Sequence, residues 1–319
     1  MNKSAINFIL YIILAFLWSA SYIGIKLVVL DFPPAFSALL RIVVACLAIV
    51  LYCLLAKKKM SMPIAIASRF WISGLFSLGI PFLFLFWGEC YVEPAIGGIL
   101  NATTPLWVFC ISLFMFREKN IFVFSKVFGL ILGFMGVVFI FLPSLDFNQQ
   151  NIMTLKGIVA INIMAVAYAI GALLYQSYSK RYQGQFSFYG SVIHQYLASI
   201  VFLLLISLHS ETWPAVSVFE HSYKDILALL YLGISSTALA FIIYYHLIHS
   251  WGAVRASTVV YLVPLLAIVW DDLFLHKIPH ENVLLGAATI LCGVLFIQWH
   301  DLRKIFLKKK QANLEQAVP

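Results

Sequence analysis

The sequence predicts an all-α integral membrane protein, with ten transmembrane helices arranged as two inverted five-helix repeats. Three observations predict it. Of the 319 residues, 63% are hydrophobic and 11% are charged, which leaves too little polar surface for a water-soluble domain. The apolar residues gather in stretches of about 20, long enough for a helix to cross a hydrocarbon core with its backbone paired internally. Finally, two segments repeat. "PLWVFCISLFMFRE" begins at Pro105 and "PLLAIVWDDLFLHK" at Pro264. Each leads into an apolar stretch with paired glycines, Gly129 and Gly136 in one and Gly286 and Gly293 in the other, ending in "GVVFI" and "GVLFI". A unit repeated at a spacing of 157 to 159 residues is one membrane fold written twice.

The spans are expected at 6–26, 35–56, 70–91, 96–116, 126–143, 156–178, 187–208, 224–248, 254–275 and 282–300. The first carries Trp18 and Tyr22 and has no small-residue cleavage site, so it reads as a membrane helix and not as a signal peptide. The second has Arg41 six residues in. The third has Glu89 near its outer end, with Glu93 in the tight turn that follows. The fourth holds Asn101 and Pro105, and the fifth the first glycine pair. The polar stretch from Pro143 to Lys156 separates the halves. Lys180 and Arg181 follow the sixth span, and the seventh carries His194. A second polar stretch, 209–225, leads to the eighth; Trp213 marks a weak signal for a short interfacial helix there. The ninth carries Pro264, Asp271 and Asp272, and the tenth the second glycine pair. The first repeat is therefore assigned to 1–145, the second to 146–302, and a basic tail to 303–319.

Charge placement sets the topology. With the N-terminus inside, the inner loops and tails hold 16 of the 21 Lys and Arg residues, including Lys57–Lys59, Lys180, Arg181 and Lys308–Lys310. This satisfies the positive-inside rule at every inner loop and puts both termini in the cytoplasm. The net charge of +8 is thus a membrane-topology feature and not a nucleic-acid footprint; the tail anchors beside anionic lipid. Five is an odd number of spans, so the second half enters from the opposite side. Inverted halves give two mirror-related states, one open to each face, as in secondary transporters. The five cysteines all fall inside predicted spans, which argues against disulfides and zinc.

Ionisable groups inside spans are costly and mark function or pairing. Arg41 has two readings: a structural arginine paired with helix carbonyls or with Glu89, which is favoured, or an anchor for a substrate carboxylate. Asp272 has a partner in reach at His276. Asp271, seven residues after Pro264 and on its face, is expected to line the outer half of a cavity, holding an amino group or exchanging a proton. Pro105 and Pro264 each remove a backbone donor, and kinks at matching places suit either moving gates or simple packing. The aromatics Trp18, Trp87, Tyr168, Tyr244 and Tyr261 lie next to polar groups such as Ser21, Glu89 and Asn101. Together these supply the amphipathic wall that a small amphiphilic metabolite needs, although each alone also fits packing or a membrane belt. Glycine seams, including Gly97-Gly98, allow close helix approach, and the fifth and tenth spans read as scaffold or dimer-facing.

"LWSASYIGIK" at 17–26, "PPAFSALLRIVVA" at 33–45, the two Pro segments and "GISSTALAFIIYYHLIHSWGAVRASTVVYLVP" at 233–264 resemble the EamA-type branch of the drug/metabolite transporter superfamily. The resemblance runs from about 10 to 300. It implies a carrier of small metabolites in the cell membrane, the inner membrane of a bacterium, often working outward and without ATP. It also implies that Arg41 matches the family's arginine near the start of the second span. The chain departs from the family at Asp271 and Asp272, where small or aromatic residues are usual. It departs again at Lys277, where the first half has Glu118. The function expected is secondary transport of amino acids or related amines, driven by protons or by exchange. A membrane-embedded enzyme or a lipid-processing or flippase subunit is the alternative. "HLIHS" at 246–250 has the wrong spacing for a zinc protease and no third ligand, and no nucleotide loop is present. No cofactor or metal is therefore expected; the partners are a small-molecule substrate, the lipid bilayer and, in one arrangement, a second copy of the chain.

Overall fold

The computed structural model describes residues 3–92, 94–116, 124–141, 152–211, 223–266 and 285–297, and among these every regular element is helical. In chain order they are α1 (Lys3–Asp31), α2 (Pro34–Leu55), α3 (Ile64–Glu89), α4 in two pieces (Pro94–Asn101 and Thr104–Phe116), α5 (Phe124–Phe141), α6 (Ile152–Arg181), α7 (Phe188–Ser210), α8 (Tyr223–Trp251), α9 (Ala253–Leu266) and α10 (Leu285–Ile297). Seven of these, α1 to α4 and α6 to α8, are long and apolar enough to cross a membrane. The other three are shorter apolar helices at the places of the fifth, ninth and tenth expected spans. The outward faces carry bare aliphatic side chains such as Leu47, Leu51, Leu205 and Leu208, which suits contact with lipid and not with water.

Contacts between helix ends fix their directions. Glu211, just past the end of α7, accepts from the N–H groups of Ala35 and Phe36 at 2.7 and 2.9 Å. Lys26 near the end of α1 donates to the Glu89 carbonyl at the end of α3. At the opposite face His246 of α8 lies 3.0 Å from Asn7 of α1. There Gly252, with φ +85, turns the chain between α8 and α9, and the side chain of Gln176 accepts from Ala253 N–H. One face therefore bears Asp31, Glu89 and Ser210, and the other Leu55, Arg181 and Trp251. The sequence expects the first face outside and the second in the cytoplasm.

Close packing depends on missing side chains. A Cβ on Gly129 would sit 2.6 Å from the Gly293 carbonyl oxygen, and one on Gly136 would sit 2.7 Å from that of Gly286. So α5 and α10 cross antiparallel, backbone against backbone. Adding 157 residues to either glycine of α5 gives the glycine that the other one touches.

Five spans depart from regular α-helix, and four of the departures match between the halves. α3 contains a π-helical stretch at Leu75–Gly79, and α8 one at Tyr231–Leu239. α4 breaks at Ala102 and Thr103, and α9 tightens to a 3-10 turn at Thr258–Tyr261. The expected kink at Pro105 is in fact this break. Pro105 occupies the first turn of the second piece of α4, where a missing N–H removes no helical bond. Pro264 follows the 3-10 turn in the same way. A fifth irregularity, at Ala20, divides α1 and has no counterpart in the continuous α6.

Candidate functional site

Irregular backbone at membrane depth is tolerated where it lines a cavity or is buried in protein, and the breaks in α1 and α4 and the 3-10 turn of α9 border a cavity. Its water-accessible space is about 60 Å³, enough to admit water. Trp18 and Ser21 reach it from either side of the α1 break, and Asn101 and Thr104 from either side of the α4 break. Arg41 of α2, Leu85 of α3, Met164 and Tyr168 of α6, Tyr244 of α8, and Val260 and Val263 of α9 complete the wall. Both halves contribute to it.

The α1 break frees carbonyls that the site then satisfies. Ser19 Oγ donates to the Phe16 carbonyl, Tyr231 OH to that of Leu17 and Ser21 Oγ to that of Trp18, each at 2.8 Å. With these groups paired, the unwound turn carries little cost. Trp18 in turn donates through Nε1 to the Ser236 carbonyl at 3.1 Å, and its ring lies 5.3 Å from that of Tyr244. At the α4 break, Thr103 Oγ1 donates to the Leu100 carbonyl at 2.6 Å, and Thr104 Oγ1 lies 3.3 Å from Asn101 Oδ1.

Arg41 is the charged side chain among the described lining residues. It is 3% exposed. Its Nε donates to Thr237 Oγ1 at 2.7 Å, and its Nη2 to Ser236 Oγ at 3.1 Å and the Ser236 carbonyl at 3.5 Å. The guanidinium carbon lies 4.2 Å from the centre of the Phe82 ring. The π-helical stretch of α8 makes this geometry. Its wider turn turns Ser236 and Thr237 toward α2, while Thr237 Oγ1 also donates to the Leu232 carbonyl at 2.7 Å. The result is an aromatic-walled pocket with one fixed cation and several neutral donors and acceptors. That arrangement can hold a small solute with an acidic group and an apolar body.

Of the residues singled out in sequence, Trp18, Ser21, Arg41, Asn101, Tyr168 and Tyr244 come together here. Trp87, Glu89 and Tyr261 do not. Trp87 turns its ring to Tyr91, 4.9 Å away. Glu89 is 1% exposed, and its Oε1 sits 2.6 Å from where a Cβ on Gly97 would be, in the seam of α3, α4 and α6. Tyr261 points to α5, where its hydroxyl donates to the Leu130 carbonyl at 3.0 Å and its ring fills the space left by Gly133. Its neighbours Val260 and Val263 line the cavity instead. The helical phase around the 3-10 turn decides this, and the sequence does not show that turn. Asp271, Asp272, His276, Lys277, Glu118 and Trp213 lie outside the described residues. Thr104, Leu85 and Met164 line the cavity without having been singled out; Thr104, next to Pro105, had the clearest signal.

On the Trp251 side of the cavity the helices pack closely. Tyr175 of α6 stacks on Tyr245 of α8 with ring centres 3.9 Å apart, and Tyr11 of α1 lies 2.9 Å from Thr258 of α9, hydroxyl to hydroxyl.

A bundle of apolar helices around a mixed aromatic and polar cavity, with broken helices beside it, suits a membrane transport protein. Comparison with known proteins gives the family. The EamA-like transporter family matches twice, at residues 6–142 and 155–299, and the chain belongs to that family. Similar proteins include the uncharacterized transporter YoaV of Bacillus subtilis, 26% identical over 87% of this chain and 91% of its own. Protein PagO of Salmonella typhimurium is 27% identical over 91% of this chain and 92% of its own. A solved crystal structure matches with TM-score 0.75 over 93% of this chain and 99% of its own. At 18% identity that likeness concerns the fold alone.

Proposed function

We propose that this chain is a secondary carrier of small amphiphilic metabolites, working by alternating access between two inverted five-helix repeats. The double family match, the paired π-helical stretches and the reciprocal glycine contacts of α5 and α10 support the inverted arrangement. The observation that carries the substrate reading is Arg41, a buried cation in an aromatic wall. It favours solutes with a carboxylate, amino acids foremost, ahead of amines that lack one. Trp18, Tyr168 and Tyr244 hold the apolar body, and Ser21, Asn101 and Thr104 offer hydrogen bonds to its polar groups. Asp271 is the residue to meet an amino group. Proton movement or exchange with a second solute drives the cycle in the cell membrane, with both termini in the cytoplasm.

Purified protein in proteoliposomes, tested for uptake of a panel of labelled amino acids and other carboxylates under an imposed proton gradient or with solute preloaded inside, checks this. Saturable flux of at least one carboxylate, inhibited by its relatives, is the expected result. Flux for none of them, in protein that melts cooperatively, would sink the reading.

A further inference from the structure

Arg41 lies seven residues after the start of α2, and Gln195 lies seven residues after the start of α7. These are the second helices of the two halves, and they run antiparallel side by side. Arg41 crosses to the π-helical stretch of α8. Gln195 crosses to α3, immediately before that helix's own π-helical stretch. Its Oε1 accepts from Ser73 Oγ at 3.1 Å and from Tyr245 OH at 2.8 Å, and its Nε2 donates to the Ser191 carbonyl at 3.1 Å. Ser199 Oγ donates to the Gly74 carbonyl at 3.0 Å, and a Cβ on Gly74 would lie 2.5 Å from Gln195 Cα, so α7 presses directly on α3 here. Gln195 and Ser73 are fully buried. Gln195 thus sits as far into its helix as Arg41 does, but its surroundings are collapsed where Arg41 lines the cavity.

The collapsed cluster adjoins the cavity along α6 and α8. Tyr168, Ala172 and Tyr175 follow one another on a single face of α6, at spacings of four and three. The first lines the cavity and the last stacks on Tyr245. Tyr244 and Tyr245 adjoin on α8, one lining the cavity and the other bonded to Gln195. Burying an amide and two hydroxyls between membrane helices is costly unless each is paired, and here they pair with one another. Water can replace those bonds when the helices part, so the open arrangement leaves no orphaned group.

From this geometry we infer that Gln195, Ser73 and Tyr245 form the latch of the closed gate, and that their separation opens the passage to the face bearing Leu55 and Arg181. The inference rests on the carrier reading. It makes Gln195 a positioning residue for the closed state and not a contact for the substrate in the cavity seen here.

The test uses full-length protein in which Cys46, Cys53, Cys90, Cys110 and Cys292 are replaced by alanine. One reporter cysteine is then placed at Ala172→Cys, between cavity and latch, or at Ser21→Cys, in the cavity wall. A membrane-impermeant maleimide is applied from each face in turn. Gln195→Ala removes both acceptor bonds, and Tyr245→Phe removes one hydroxyl while keeping the ring stack. With a latch, Gln195→Ala raises labelling at Ala172→Cys from the Arg181 face by about 30-fold, the shift expected from losing two ordinary hydrogen bonds. It lowers labelling at Ser21→Cys from the Asp31 face. Tyr245→Phe moves both rates the same way by less, and adds little on top of Gln195→Ala. Labelling that rises at both reporters, or at neither, in Gln195→Ala or in Tyr245→Phe should Gln195→Ala fail to fold, overturns the latch. Carboxylate flux by the parent in the same vesicles keeps the two ideas apart: opposite shifts without flux would count against the carrier, and flux without opposite shifts would count against the latch.

Discussion

Replacing Arg41 separates the two readings that its sequence position allows. A guanidinium that grips a carboxylate makes two parallel charge-assisted hydrogen bonds, each worth about 1.5–3 kcal/mol. Arg41→Lys keeps the charge but loses the planar fork, and so loses one of them. Affinity for an acidic solute should fall roughly 10- to 150-fold. Arg41→Gln removes the charge as well and should weaken binding more than 100-fold. Both variants also lose bonds to Ser236 and Thr237 and the stacking on Phe82. The fold should feel this by about 1–3 kcal/mol, so melting is followed alongside. Binding is measured by calorimetry on purified protein with the acid that shows transport, and with its primary amide. The amide cannot use the fork in the same way, so its affinity should change by less than about threefold in Arg41→Lys. The reasoning fails if acid and amide weaken equally, or if both variants bind the acid as tightly as the native protein.

Two structural predictions accompany it. Gly293→Ala puts a Cβ 2.5 Å from the Gly133 nitrogen and 2.7 Å from the Gly129 carbonyl oxygen. Backbone cannot yield as a side chain can, so the variant should lose about 1–3 kcal/mol and melt lower in detergent; an unchanged melting curve would mean that α5 and α10 do not meet there. Glu211→Ala strips the start of α2 of its cap, two N–H bonds and a bond from Ser207 at 3.0 Å, and should cost about 0.5–2 kcal/mol. Glu211→Gln, which keeps an acceptor, should recover part of this loss in the same melt.

Helix boundaries were legible where charges interrupt the apolar runs, because lipid demands it, whereas α3 starts at Ile64 and not at 70, and α1 runs on to Asp31 and not to 26. Long apolar runs, broken by Lys57–Lys59 and by Lys180-Arg181, leave little choice of where a helix starts and stops, and α2 and α7 begin and end within two residues of the expected bounds. The Pro and Gly repeats likewise pointed to the doubling, since the first turn after a break and a close approach each favour a particular residue type. Arg41, Trp18 and Asn101 stood out because polar groups at membrane depth require partners.

What the sequence alone determined was therefore the class of protein, its order of helices and a pool of residues from which a site is built. Only the tertiary structure chose among them. It sent Glu89 into the seam with Gly97, Tyr261 onto α5 and Trp87 to Tyr91, and it brought Thr104 and Arg41 to one cavity. The reason lies in helical phase. Hydropathy reports how deep a residue sits, because the lipid responds to depth. Which way the side chain points depends on where α1, α4 and α9 break and where α3 and α8 widen. Those departures are set by contacts between helices far apart in the chain, such as Arg41 with Thr237.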